Sequence, residues 1–302
     1  MAVSGGAQIQ RLARFGLTTA DASALAAFYE RAFGFRCLAT ERLDGAAFER
    51  LMDVEGGAQC VRIGLGREII ELLQFDRPGL PYPANSSASD LNFQHFAIVV
   101  DDIRQAYERL SAMSGWRAIS TDGPQRLPVE AGGVTAFKFR DPDGHPLELL
   151  AFPPRQVPSR WRARNGSNPC LGIDHSAIGV ADTARAVAFY ERLGLRATAR
   201  SLNIGPEQAR LDGLCESRVK VTAISPPEAT PHIELLCYRS IIHAGGVESR
   251  NNDIAASRLI LEADDPAPTS RSAARRGVTD PDGHHLLIVP SPAQLEPGAT
   301  RI

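Results

Sequence analysis

Three short stretches of this chain set a glutamate inside a run of aliphatic residues: IIELLQF at 69–75, PLELLAF at 146–152 and HIELLCY at 232–238. Side chains of a β-strand alternate between two faces, and in Ile69-Ile70-Glu71-Leu72-Leu73 both faces are apolar except for one carboxylate, with Glu148 and Glu234 at the matching places of the other two. An ionised carboxylate in such a place is costly unless it is paired, hydrogen-bonded or bound to a metal. One such residue reads as an ion pair or a partly exposed edge. Three at equivalent positions point to an inherited site. A fourth stretch, HLLIVP at 285–290, has Leu287 where the others have glutamate. Both it and PLELLAF follow the pentapeptide DPDGH, so the turn is shared and the carboxylate is not.

The elements that would position these residues repeat along the chain. AFYER occurs at 27–31 and again at 188–192, with Asp21 matched to Asp182 and Tyr29 to Tyr190 at one offset. A related YERL stands at 107–110, after Asp102. Leu25, Phe28, Tyr29, Ala32 and Phe33 form one helical face, as do Ile103, Ala106, Tyr107 and Leu110. Asp21, Asp102 and Asp182 stand where helix N-caps are favoured. Strands are predicted near 37–42, 59–65 and 68–75, and again near 118–120, 134–140 and 147–152. DPDG supplies turn chemistry between the last two strands. The unit is therefore strand, helix, then three strands, starting near Arg11, Asn92, Gly172 and Ala255.

The 302 residues suit two domains, and 43% hydrophobic with 23% charged residues is ordinary for a globular protein. A net charge of −2 with interspersed signs gives no reason to expect a nucleic-acid or membrane partner. No apolar run approaches the ~20 residues of a membrane span, and MAVSGGAQIQ lacks the pattern of a signal peptide. Five scattered cysteines without a C-x-x-C fit a reducing cytoplasm and argue against a cysteine zinc site.

The AFYER helices after a first strand, together with DPDGHPLELL at the end of the second unit, resemble the vicinal oxygen chelate superfamily. This family includes glyoxalase I, extradiol dioxygenases and bleomycin-resistance proteins. The resemblance implies an α+β fold in which tandem βαβββ units pair into open curved barrels. The expected arrangement is an N-terminal domain over 1–153 (units 10–75 and 92–152), a linker over 154–169, and a C-terminal domain over 170–302. The last would hold a unit at 172–239 and a shortened unit at 255–290. It further implies inward-facing ligand positions on the first and last strand of each unit.

Those positions fall on Arg14 and Glu71, His95 and Glu148, His175 and Glu234, and Arg258 and Leu287. The first three pairs are 53 to 59 residues apart, but the last is only 29 apart, too short for a helix and two further strands. The stretch 265–277 between them reads as loop.

With consecutive units paired, the N-terminal barrel would bring Arg14, Glu71, His95 and Glu148 together. His95, Glu148 and Glu71 would then hold a divalent metal (Fe, Mn, Ni or Zn), with Glu71 or Glu148 moving a proton and Arg14 fixing an anionic group of the substrate. His175, Glu234 and Arg258 would be a residual polar set in the other barrel. Loss of ligands at Arg258 and Leu287 disfavours the usual ring-cleaving dioxygenase layout.

The expected function is a glyoxalase/dioxygenase-like metalloenzyme acting on a small oxygen-rich molecule, with a homodimer possible. The alternative is a metal-free sequestering protein, favoured if Arg14 bonds to Glu71 where an ion would sit. His145 and His284 are expected to bond within their turns, Trp161 to cover apolar surface, and His232 and His243 to lack ligand partners.

Overall fold

The computed structural model describes residues 8–162, 166–228, 231–239, 249–264 and 275–291. Residues 265–274, most of the stretch expected to be loop, and His243 lie outside them.

Unit one runs β1 (Gln8–Thr18), α1 (Ala22–Phe33), β2 (Arg36–Leu43), α2 (Ala46–Met52), β3 (Ala58–Leu65) and β4 (Glu68–Phe75). Unit two runs β5 (Gln94–Val100), α3 (Ile103–Ser111), the two-residue strands β6 (Arg117–Ala118) and β7 (Gln125–Arg126), β8 (Thr135–Arg140) and β9 (Pro146–Ala151). Unit three has β10 (Cys170–Gly179), α4 (Thr183–Arg192), β11 (Arg196–Ile204), α5 (Pro206–Asp212), β12 (Arg218–Ser225) and β13 (His232–Tyr238). Unit four, among the described residues, has only β14 (Arg258–Asp264), β15 (Arg276–Thr279) and β16 (His285–Pro290).

The helices start where the acids predict. Asp21 accepts from Ala24 N, Asp102 from Gln105 N, and Asp182 from Ala184 N and Arg185 N. Each bond satisfies donors that the first helical turn leaves free. Leu25, Phe28, Tyr29, Ala32 and Phe33 of α1 are buried, and burying each of the larger side chains contributes about 1.5–3 kcal/mol. The short helices α2 and α5 had no sequence expectation.

The chain forms two open sheets rather than closed barrels. The seven-stranded sheet has the order β15-β16-β14-β1-β4-β3-β2, and the larger one β11-β12-β13-β10-β5-β9-β8-β6 with β7 on β8. Unit one thus shares a sheet with unit four, and unit two with unit three. This corrects the expectation that consecutive units pair within an N-terminal and a C-terminal half. Buried Glu262 on β14 supplies a physical reason. It needs cations on the neighbouring strand, and β1 provides Arg11, in register with it at 2.6 Å, and Arg14 at 3.6 Å.

Alternation sorts the strands into two faces. Ile70, Leu72, Ile98, Leu147, Leu149, Ile233, Leu235, Leu286 and Ile288 enter one shared core with the inner faces of the helices. The residues between them, including Glu71, Glu148, Glu234 and Leu287, occupy the opposite faces of the sheets.

Candidate metal centre

Strand register assembles the centre. β5 and β10 run antiparallel, with His95 opposite Ala177 and Ala97 opposite His175. β9 lies parallel to β5 with Glu148 beside Ala97, and β13 lies parallel to β10 with Glu234 beside Ala177. Each glutamate therefore flanks an alanine whose other neighbour is a histidine of the other unit. All four polar side chains share the face turned away from the main core. Fully buried Ala97 and Ala177 fill the positions between them with the least volume.

His95 Nε2 lies 2.8 Å from Glu148 Oε2, and His175 Nε2 lies 3.5 Å from Glu234 Oε2. The two imidazole rings are 6.0 Å apart. Ligand atoms of His95, Glu148 and His175 all fall within 4.8 Å of one another. Two imidazoles and two carboxylates form a mixed nitrogen and oxygen donor set of the kind that Zn, Fe, Ni and Mn accept.

Electrostatics agree with that fit. Burial holds the pKa of His95 below its usual value, against the pull of Glu148, so the ring is a neutral donor. Burial opposes ionisation of Glu148, yet the hydrogen bond and charge of His95, with Lys138 beyond, bring its pKa below the usual carboxylate range. His175 is also buried, but Glu234, Asp174 and Glu148 outweigh that and raise it to about 9. Glu234 falls to about 2 despite burial, through His175 and His232. Without a cation, positive charge among these carboxylates resides on His175. A divalent ion would supply it instead. His95 Nδ1 is buried without a hydrogen-bond partner.

Four neighbours escaped sequence reasoning. Lys138 on β8 pairs laterally with Glu148, is 3% exposed, and sends its ammonium 2.8 Å to Asp212 Oδ1 at the end of α5. Its signal was available: a lysine alternating with phenylalanines in AFKFR. Asp174 Oδ2 lies 3.2 Å from His175 Nδ1. His232, expected to have no ligand partner, faces His175 with ring centres 5.4 Å apart. It stands two residues before Glu234, on the same strand face.

Glu71, expected to join His95 and Glu148, is in the other sheet. Arg14 Nε reaches Glu71 Oε1 at 2.8 Å and Arg62 Nε reaches it at 3.0 Å, while Arg62 also pairs with Glu41. Arg258 donates to Thr18 Oγ1 at 3.0 Å rather than grouping with His175 and Glu234. Leu287 packs with Phe48, Met52, Leu73, Phe75 and Ile260. That sheet repeats the same register, with Gly16 beside Glu71 and opposite Arg258, but fills it with guanidinium groups and hydrocarbon. A guanidinium has donors only and cannot ligate a cation.

His145 Nδ1 bonds within its turn to Asp141 Oδ2 at 2.8 Å, as expected, but the Nε2 atoms of His145 and His284 reach out of their turns, 2.9 Å from Thr18 O and 2.7 Å from Gly179 O. Trp161 is buried, with its indole N–H on Asp174 Oδ1 at 3.4 Å. A cavity of about 430 Å³ lies apart from the four polar residues of the centre, bounded by Gln94, Arg185, Ser249 and His285 among others. No helix among the described residues is long and apolar enough to cross a membrane.

Residues 11–149 match the family model described as the Glyoxalase/Bleomycin resistance protein/Dioxygenase superfamily. Glyoxalase I from Zea mays has a similar structure, with a TM-score of 0.57 at 16% identity, covering 93% of this chain and 92% of that one. A candidate dioxygenase from Bacillus subtilis gives a TM-score of 0.56 at 11% identity, covering 95% of this chain and 87% of that one. At such identities the likeness carries the fold alone. No curated protein matches the chain.

Proposed function

We propose, from the family match of residues 11–149 and from the fold, that this is a vicinal oxygen chelate protein and a divalent-metal-dependent enzyme of the lyase or isomerase type. His95, Glu148, His175 and Glu234 hold the ion. The observation that carries this reading is the register of β5, β9, β10 and β13, which sets two imidazoles and two carboxylates on one face. The substrate is a small oxygen-rich organic molecule. All four ligands come from one chain, so a homodimer is not needed to complete the set.

The bound ion supplies Lewis acidity at a substrate oxygen. The side chains divide the remaining work. Glu148 is fixed by the 2.8 Å bond from His95 and is 8% exposed. Glu234 is held more loosely, at 3.5 Å from His175, and is 26% exposed. Glu234 is therefore the group that takes and returns a proton at the carbon next to a substrate carbonyl. Lys138, anchored by Asp212, adds positive charge beside Glu148. Leu127, Leu150 and Leu211 pack on the Ala97 side, Leu236 and Tyr238 on the Ala177 side, and they limit water there.

The metal-free alternative anticipated an Arg14–Glu71 bond. That bond exists, but in the sheet that lacks His95 and Glu148. It therefore speaks for a metal-free site in that sheet and leaves the four-residue set of the other untouched.

The test is elemental analysis of protein purified without chelators, beside a Glu148→Ala variant. The variant is expected to hold one ion per chain fewer. Folded protein that carries no metal and resists reconstitution would leave the sequestering function instead.

A further inference from the structure

We propose that Asp174, His175 and His232 form a second divalent-cation site at the rim of the centre, with His175 common to both. Among the described residues, two groups bring three ligand atoms within 4.8 Å of one another, and this is the second. Asp174 Oδ2 stands 3.2 Å from His175 Nδ1 and 3.9 Å from His232 Nδ1. Neighbouring ligands around tetrahedral zinc at 2.0–2.1 Å lie about 3.3 Å apart, so the Asp174–His232 side needs to close by about 0.6 Å, and the ligand atoms of His175 and His232 start within 4.8 Å of each other.

The two nitrogens of His175 face different carboxylates. Nε2 points toward Glu234 and Nδ1 toward Asp174. The rim site uses Nδ1, which the inner four-residue set leaves free, so it does not depend on that set being filled. When both are filled, His175 bridges the ions through its ring as an imidazolate and releases both ring protons to solvent. Two dications are then balanced by Glu148, Glu234, Asp174 and the imidazolate.

The repeat gives an independent reason to treat the set as built rather than inherited. The position before the first-strand ligand is Ala13, Gln94, Asp174 or Ser257 in the four units. The position two before the last-strand residue is Ile69, Pro146, His232 or His285. Unit three alone has a ligand at both. The Trp161 indole binds Asp174 Oδ1 and leaves Oδ2 for the ion, in the manner of partners that orient metal ligands. His232 and Asp174 retain side-chain exposures of 17% and 13%, which gives a cation access.

The experiment is a titration of chelator-treated protein with Zn²⁺, read as ions bound per chain, in the wild type and in His232→Ala, Asp174→Asn and Glu148→Gln. Circular dichroism establishes that each variant is folded. Two ions in the wild type, and one in each of the three variants, supports the rim site. One ion in the wild type, lost in Glu148→Gln and unchanged in His232→Ala and Asp174→Asn, overturns it while the inner centre stands. One ion lost in His232→Ala and Asp174→Asn but kept in Glu148→Gln supports the rim site and removes the inner one. No ion bound in the wild type overturns both.

Discussion

Lys138 Nζ and Asp212 Oδ1 meet at 2.8 Å with side-chain exposures of 4% and 0%, joining β8 of unit two to α5 of unit three. Asp212 also accepts from Gln208 and Ser217, so its charge is fully engaged inside the protein. Removing one member of a buried pair strands the other and costs roughly 3–5 kcal/mol. Lys138→Met and Asp212→Asn are each expected to lower stability by about that amount, and the double variant by less than the sum. Urea denaturation of the four proteins as a double-mutant cycle measures this. Additive losses would show that the two residues act separately.

Tyr29 and Tyr190, the tyrosines of the two AFYER helices, serve a matching purpose. Tyr29 donates to Asp141 Oδ2 at 3.0 Å, and Tyr190 donates to Asp280 Oδ2 at 3.1 Å. Asp141 also accepts the backbone N–H of Asp143, Gly144 and His145 and faces His145 Nδ1 at 2.8 Å. The two repeated motifs thus lock unit one to unit two, and unit three to unit four. Gly144 at φ 100° lets the turn pass Tyr82, whose Cβ a side chain would meet at 2.9 Å. Tyr29→Phe is expected to cost about 1.5–3 kcal/mol, since the hydroxyl bonds a charged acceptor in the interior. Asp141→Ala should cost more, because several donors lose one acceptor. Thermal or chemical denaturation checks the order, and a neutral Tyr29→Phe would remove the clasp from the account.

Much of this fold was legible because its signals are local. Helix faces, N-caps, the DPDGH turns and the four first- and last-strand positions each depend on a few adjacent residues. The structure confirms those positions as equivalent: Gly16 beside Glu71 repeats Ala97 beside Glu148 and Ala177 beside Glu234. Which units share a sheet is a different kind of fact. It depends on edge contacts between strands far apart in the chain, and four strands of one pattern offer several pairings. The deciding hint was Glu262, an acid in the apolar strand RLILEAD, which needed Arg11 and Arg14 beside it. Without that pairing, chain order groups Glu71 with His95 and Glu148, whereas the structure puts it in the other sheet.

Acid should destabilise the fold through His285. Burial, with the charge of Arg258 beside it, lowers its pKa from 6.5 to about 4, against the hydrogen bond to Ser249 and the charge of Asp280. The unfolded chain binds this proton near pH 6.5, whereas the folded chain binds it only near 4. Its contribution is complete above pH 6.5 and is lost as pH falls toward 4, on the order of 2–3 kcal/mol at the limit. A series of urea midpoints from pH 7 to pH 4 should fall less steeply in His285→Gln than in the wild type. Parallel curves would assign the acid sensitivity elsewhere.

The exchange of partners between units makes opposite predictions for two glutamates that look alike in sequence. Glu148 faces His95 in the sheet that holds four ligand-type side chains, whereas Glu71 faces Arg14 and Arg62 in the sheet that holds none of the histidine ligands. Glu148→Gln should reduce metal content and leave His95 with a neutral neighbour. Glu71→Gln should leave metal content unchanged. It should still destabilise the protein by about 2–4 kcal/mol, because two part-buried guanidinium groups lose the charge they share. Metal analysis and denaturation on the same preparations separate the two effects. Loss of metal in Glu71→Gln would return the ion to the seven-stranded sheet and overturn the assignment of the centre to units two and three.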